Sequence, residues 1–312
     1  MTAVLRDLSA PKPLLDQDLA ERVASLRVRA SHAVDGIRSG IHKSPHRGAS
    51  VIFAEHRDYR PGDDLRMLDW RAFARNDRYT VKHFEQETHL RANLLLDLSA
   101  SMAFDGGRPG TQKAAYAATL LAALAWILLG QGDAVGAFAF DADLRKALPP
   151  RNRPDHLDAL LSVLALPVAA TRSPVPARLA ATLTAIGERV GRRGLVVLAS
   201  DLLDTDTEAL APLSRLAALG HDVIVLHVLH RDELEFPFKH GLRFEDAESP
   251  DSLEADADAV RSAYRSELDA FLASCKQRCI ASGARYTLAR SDAPIEEVLA
   301  NVLLPGRRRG WG

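Results

Sequence analysis

From Leu90 onward the chain sets short, continuous apolar runs against longer segments in which apolar residues recur every third or fourth position. The runs RANLLLDLS (91–99), DAVGAFAF (133–140), GLVVLASD (194–201), HDVIVLHVL (221–229) and ARYTLAR (284–290) predict strands. The periodic segments predict helices near 112–129, 154–164, 176–190, 206–219, 257–282 and 294–303. Because the strand runs do not alternate apolar with polar residues, both faces of each strand are expected to be covered, as in a parallel sheet between helix layers. The expected fold class is therefore α/β, with a doubly wound, mainly parallel sheet. Between His230 and Asp256 the rhythm breaks at ELEFPFKHGLRFEDAESPDSLEAD, which predicts a hairpin excursion before a long helix.

The first 89 residues have a different texture. After Pro13, Asp16 can cap a helix in which Leu19, Val23, Leu26, Ala30, Val34 and Ile37 form one apolar stripe. HRGASVIFAEHRDY and RYTVKHFEQET then predict two strands, joined by RPGDD and a short helix over 65–74. Pro61 and Gly62 suit the central positions of a type II turn, and Asp63 or Asp64 can cap the helix. This divides the chain into an N-terminal helix with a charged, β-containing extension (1–89), an α/β domain (90–306) and a basic tail (307–312).

With 312 residues, 47% of them hydrophobic and 26% charged, the chain can bury a large core. The formal net charge of -1 argues against a whole-molecule grip on nucleic acid or anionic lipid. Cys275 and Cys279 lie four apart in a helical pattern, with no His or second Cys pair nearby to complete a zinc set. The start, MTAVLRDLSAPKPLLDQ, lacks a basic-then-apolar signal pattern, so a cytoplasmic location is expected. AAYAATLLAALAWILLG, from Ala114, falls slightly short of the roughly 18 to 20 apolar residues a membrane span needs. It sits between two strands and is expected to be a buried helix.

The first core strand ends in Asp97, Ser99 and Ser101. In open α/β sheets, ligands collect where loops converge beyond the carboxyl ends of strands. One carboxylate with two hydroxyls is a hard-oxygen set suited to magnesium or manganese, although a polar strand end capping a turn has the same composition. LVVLASDLLD delivers a second acid, Asp201, to the same edge if its strand is a neighbour, and two carboxylates brought together without a cation would repel. Thr171, in the loop LPVAATRSPVP, can add a third hydroxyl. The D-L-S-A-S sequence with a later loop Thr and a strand-end Asp resembles the metal-ion-dependent adhesion site of von Willebrand factor A domains. That resemblance implies a divalent cation (Mg2+, or Mn2+ or Ca2+) held by Asp97, Ser99, Ser101, Thr171 and Asp201, with one coordination position left for a partner's Glu or Asp.

The stretch FAEHRDYRPGDDLRMLDWRAFARNDRYTVKHFEQET is dense in Arg, Asp and aromatic residues and suits a solvated helix-and-hairpin, a structural ion-pair network or a recognition surface. With the D-x-S-x-S strand it resembles the bacterial family called domain of unknown function 58. The residues that carry the match are Ser44, Pro45, Gly48, Glu55, Arg57, Tyr59, Pro61, Gly62, Asp63, Asp64, Arg66, Asp69 and Trp70, followed by Ala74, Arg75, Lys82 and Phe84. Among these, Glu55, Arg57, Tyr59, Asp63, Asp64, Arg66, Asp69, Trp70 and Arg75 are the candidate network or interaction residues. The resemblance implies a non-enzymatic adaptor for a MoxR-type AAA+ ATPase, acting in assembly or activation of other complexes.

Two other functions compete with it. For an enzyme, Ser99 stands where a haloacid-dehalogenase pattern needs an acid, and in GGRPGTQK Thr111 and Gln112 occupy the Gly and Lys positions of a P-loop. His42, His46, His56, His83 and His89 cluster in sequence without a G-x-S-x-G nucleophile elbow, so a metal-dependent hydrolase is the weaker reading. For nucleic-acid binding, Arg57, Arg60, Arg66, Arg71, Arg75 and Arg78 are interspersed with Asp58, Asp63, Asp64, Asp69 and Asp77. Interspersion of that kind predicts internal pairing rather than a phosphate-facing stripe.

Overall fold

In the computed structural model, the described residues are 15–41, 56–58, 80–82 and 90–303, excepting 109, 154, 169–178, 192, 204–208 and 246–251. The chain forms two compact units, residues 40–89 and residues 1–39 together with 90–312. In the smaller unit, β1 (His56–Asp58) pairs antiparallel with β2 (Thr80–Lys82). The helix expected over 65–74 lies outside the described residues.

The larger unit is mixed α/β, built on a six-stranded, mostly parallel sheet. Its strands are β3 (Arg91–Asp97), β4 (Ala134–Phe140), β5 (Leu144–Arg151), β6 (Leu195–Ser200), β7 (Asp222–Leu229) and β10 (Arg285–Arg290), in the spatial order β10-β7-β6-β3-β4-β5. Each continuous apolar run became a parallel strand. Alternate residues of these strands feed two separate cores. Leu94, Leu96, Val197, Ala199 and Leu226 join one cluster, whereas Leu95, Val196, Leu198, Val223 and Val225 join the other. The first cluster is completed from α1 (Leu15–Ile41), α2 (Lys113–Gly130), α3 (His156–Leu164) and α8 (Ile295–Leu303). The second is completed from α4 (Leu179–Gly187), α5 (Ala211–Ala218) and α7 (Ala257–Ala281). Burial of this continuous apolar surface is the main favourable term, at roughly 25 cal/mol per Å² removed from water.

Three features depart from the sequence expectations. First, β5, LRKALPPR, had no strand signature because Pro149 and Pro150 lack ladder donors and five of its residues are polar or proline. It pairs antiparallel with β4 at the sheet edge, where prolines are tolerated. Gly136 permits this, since a Cβ there would lie 2.7 Å from the Leu148 carbonyl oxygen. Second, α1 does not group with the charged segment that follows it, because Leu26, Ala30, Ala33 and Val34 are buried in the first core cluster. Third, a five-residue helix, α6 (Arg231–Glu235), follows β7 directly. The hairpin predicted beyond it is β8 (Gly241–Glu245) with β9 (Ser252–Asp256).

Among the described residues, α2 is the helix long and apolar enough to cross a bilayer, and 72% of it is buried inside the protein. Its apolar side chains all round reflect a core helix packed against the sheet.

Candidate functional site

Successive strands run outward from β3 through β4 to β5, and then the chain returns to the other side of β3 for β6, β7 and β10. The order reverses between β3 and β6, and a crevice forms outside the carboxyl ends of strands at such a switch point. Asp97 is the last residue of β3 and Asp201 follows the last residue of β6, so both acids arrive at that crevice.

The β3 end is shaped by its own polar residues. Leu98 makes the last backbone bond to the neighbouring strand, donating to the Phe140 carbonyl at 2.7 Å. The Ser99 N–H instead donates to Asp97 Oδ1 at 2.9 Å, which stops the strand and starts a 3-10 turn over Ala100–Ala103. The Ser99 and Ser101 hydroxyls share a hydrogen bond of 3.2 Å. Ser200, the last residue of β6, donates its hydroxyl to Asp97 Oδ2 at 2.6 Å and accepts the Leu202 N–H at 3.0 Å. Asp97 is 5% exposed, and among the described residues no basic side chain forms an ion pair with it. Burial, and after it the nearby Asp201 charge, push its carboxyl up to about 7, against the opposing hydrogen bonds from Ser200 and Ser99.

The β6 end is different. Asp201, 2% exposed, accepts a 2.9 Å hydrogen bond from the Lys113 ammonium at its Oδ2. Lys113 is the first residue of α2 and is fully buried, and it also donates to Glu233 Oε1 at 2.7 Å. Burial pulls the Lys113 ammonium downward, but the charges of Asp201 and Glu233 outweigh it and hold the group above the ordinary lysine range. Glu233 has its second oxygen occupied by the His230 N–H at 2.6 Å, in a capping box at the start of α6. His227 on β7 donates from Nε2 to the Asp201 carbonyl and accepts from the Tyr286 hydroxyl, both at 2.8 Å. Its burial pushes its pKa down to about 4, which fits that single-donor tautomer. Leu202 turns into the left-handed region with φ of 55°, a conformation that costs a branched side chain about 1–2 kcal/mol.

Residues 104–108 and 110–112 are fastened over this end. Thr111 Oγ1 meets His230 Nε2 at 3.1 Å, and Arg108 pairs with buried Asp232 at 3.3 Å. Gly106, at φ of 61°, lies where a Cβ would come within 2.4 Å of the His230 ring. Phe104 packs edge-on against that ring with centroids 5.2 Å apart.

The structure thus brings together Asp97, Ser99, Ser101 and Asp201. Thr171 lies outside the described residues, as do Glu55, Tyr59, Asp63, Asp64, Arg66, Asp69, Trp70 and Arg75; Arg57 is placed in β1. Among the described residues no three His, Cys, Asp or Glu side chains gather in a metal-ligating group, and the hydroxyls of Ser99 and Ser101 lie beside Asp97 at the end of β3. Cys275 and Cys279 are free and buried, and burial pushes the Cys279 thiol up to about 12. Sequence reasoning missed Lys113, Ser200 and Glu233. The signal for Lys113 was present, since it is the one charged residue in the apolar segment KAAYAATLLAALAWILLG.

The chain is similar to several bacterial proteins. "Uncharacterized protein Rv1480" of Mycobacterium tuberculosis is 28% identical over 300 residues, covering 95% of this chain and 92% of that protein. "Uncharacterized protein YeaD" of Bacillus subtilis is 35% identical over 82 residues, 26% of this chain and 20% of that one. Among solved structures, the conserved hypothetical protein BatB of Bacteroides thetaiotaomicron aligns over 68% of this chain and 96% of its own with 16% identity and a TM-score of 0.44. An aerotolerance-related membrane protein of Bacteroides fragilis aligns over the same shares with 18% identity and a TM-score of 0.43. The family described as "Protein of unknown function DUF58" matches residues 55–271, well over half of the sequence, and the chain belongs to that family.

Proposed function

We propose that this protein is a non-enzymatic docking module with a doubly wound, von Willebrand factor A-like domain, whose rim at Asp97, Ser99 and Ser101 takes a divalent cation. The observation that carries this reading is the buried Asp97 carboxylate, provided with hydrogen-bond donors but, among the described residues, no counter-charge, beside a preformed pair of hydroxyls. A buried carboxylate without a cation is costly, and hard oxygen ligands of this kind suit magnesium. When bound, such an ion supplies an exchangeable position for a Glu or Asp of another protein. Asp97 is held for this by the Ser99 amide and the Ser200 hydroxyl, which fix its orientation before any ligand arrives. The DUF58 resemblance supplies the partner class, a MoxR-type AAA+ ATPase, and a cytoplasmic setting belongs to the same proposal.

The test is capture of such an ATPase by the tagged protein in magnesium and in chelator. Capture is expected in magnesium alone, and Asp97→Ala is expected to abolish it while the thermal unfolding transition is retained. Equal capture in chelator, or by the Asp97→Ala variant, would remove the cation from the mechanism.

A further inference from the structure

The second acid of the rim already holds a cation at one oxygen, while among the described residues its Oδ1 accepts only the Leu203 amide at 3.4 Å. Asp201 Oδ2 lies 2.9 Å from the ammonium of Lys113, and that ammonium is also bound by Glu233 at 2.7 Å. Lys113 sits at the first position of an 18-residue helix, where the positive end of the helix dipole disfavours a cation. It is also fully buried, and burial disfavours any unpaired charge. Two independent costs are therefore offset by the two carboxylates, which come from separate elements beyond β6 and β7. Glu233 is spent on both of its oxygens, one on Lys113 and one on the His230 amide. A divalent cation coordinated by Asp201 would have to approach the Lys113 ammonium, and like charges at such range repel.

We infer that Lys113 is a resident counter-ion that withdraws Asp201 from the cation's ligand set and sets the charge of the rim for an acidic partner. This deepens the docking reading and rests on it. With Asp97 ionised, three carboxylates against one ammonium leave two negative charges, which a divalent cation cancels. Without Lys113 the loaded rim would stay negative and repel the carboxylate it is meant to receive. Lys113 is thus a specificity-determining residue: it weakens the grip on the ion and opens the site to an acid.

Mn2+ binding, followed by electron paramagnetic resonance on the full chain, separates the possibilities in wild type, Asp97→Asn, Asp201→Asn, Lys113→Met and Lys113→Arg. Asp97→Asn is expected to weaken binding at least about tenfold more than Asp201→Asn, because only Asp97 is a direct ligand. Lys113→Met is expected to tighten binding by about tenfold or more, as removal of a unit charge within several ångströms dictates at an effective dielectric of about 20. Lys113→Arg, keeping the charge, is expected to stay near wild type. Asp201→Asn as damaging as Asp97→Asn, or a folded Lys113→Met variant that binds no tighter, overturns the inference and leaves the docking reading standing. Binding by Lys113→Met but not by wild type sinks the docking reading and with it the inference, since Lys113 would then exclude the ion rather than tune its rim. Binding by neither sinks both. If Lys113→Met fails to fold, the comparison of Asp97→Asn with Asp201→Asn decides alone.

Discussion

The ends of β3 and β6 look alike as sequence, LLLD and LASD, and lie side by side, yet they hold their acids in opposite electrostatic states. Asp97 is met by an amide and a hydroxyl and, among the described residues, by no basic side chain. Asp201 is met by an ammonium and a histidine that fixes its backbone. The lesson is that a strand-end aspartate is defined less by its own strand than by what the next layer brings to it, here the first residue of α2. The Asp201 end already carries a cation, the Lys113 ammonium, and under the proposed reading the Asp97 end takes up a second.

Removing the resident cation should have the largest effect on this asymmetry. Lys113→Ala strips the partner from buried Asp201 and half-buried Glu233, and loss of one member of a buried ion pair costs about 3–5 kcal/mol. Urea unfolding in chelator is expected to show a loss of that size, partly restored when Asp201→Asn and Glu233→Gln are added. A loss no greater than that of an ordinary surface substitution would mean that the Lys113 cluster does not form.

The two ends should also titrate in opposite senses. Asp97 is raised to about 7 from its ordinary 3.8, so the folded state binds protons more readily there. Its contribution is fully present below about 4 and is lost as pH rises through about 7. His227 is lowered to about 4 from 6.5, so the stability associated with it is present above 6.5 and is lost as pH falls through about 4. Each effect is of the order of a few kcal/mol. Stability measured from pH 4 to 8 in chelator should lose its alkaline decline in Asp97→Asn and its acid decline in His227→Gln. A pH profile unchanged in both variants would contradict the burial assigned to these groups.

Ser200→Ala is a finer probe, since Ser200 touches both ends. It removes the donor to Asp97 and the acceptor for the Leu202 amide, and is expected to cost about 1–3 kcal/mol. The same change should weaken Mn2+ binding less than Asp97→Asn does, because it misorients the carboxylate without deleting it. Loss of binding equal to that of Asp97→Asn would make Ser200 a ligand rather than a support.

Much of this architecture was legible in advance. The parallel strands declared themselves because burial on both faces demands unbroken apolar runs, and RANLLLD, LVVLAS and DVIVLHVL satisfy that demand locally. The D-L-S-A-S rim was legible because short oxygen-bearing side chains at a strand end compete for the backbone. Strand β5 through its prolines, and α6 through its brevity, gave no periodic signal, since both are stabilised by neighbours rather than by their own pattern. The placement of α1 was equally hidden, because an apolar stripe shows that a helix packs but not against which unit.

The amino-acid order alone determined the alternation of elements, the two strand-end acids and the hydroxyls beside one of them, all properties that depend on residues a few positions apart. Tertiary structure decided that β6 returns to the far side of β3 and that Lys113 meets Asp201 and Glu233 across 88 and 120 residues of chain. Charge pairing of that kind depends on distance in space, falling off within a few ångströms, and no local pattern records which buried acid a distant ammonium will reach.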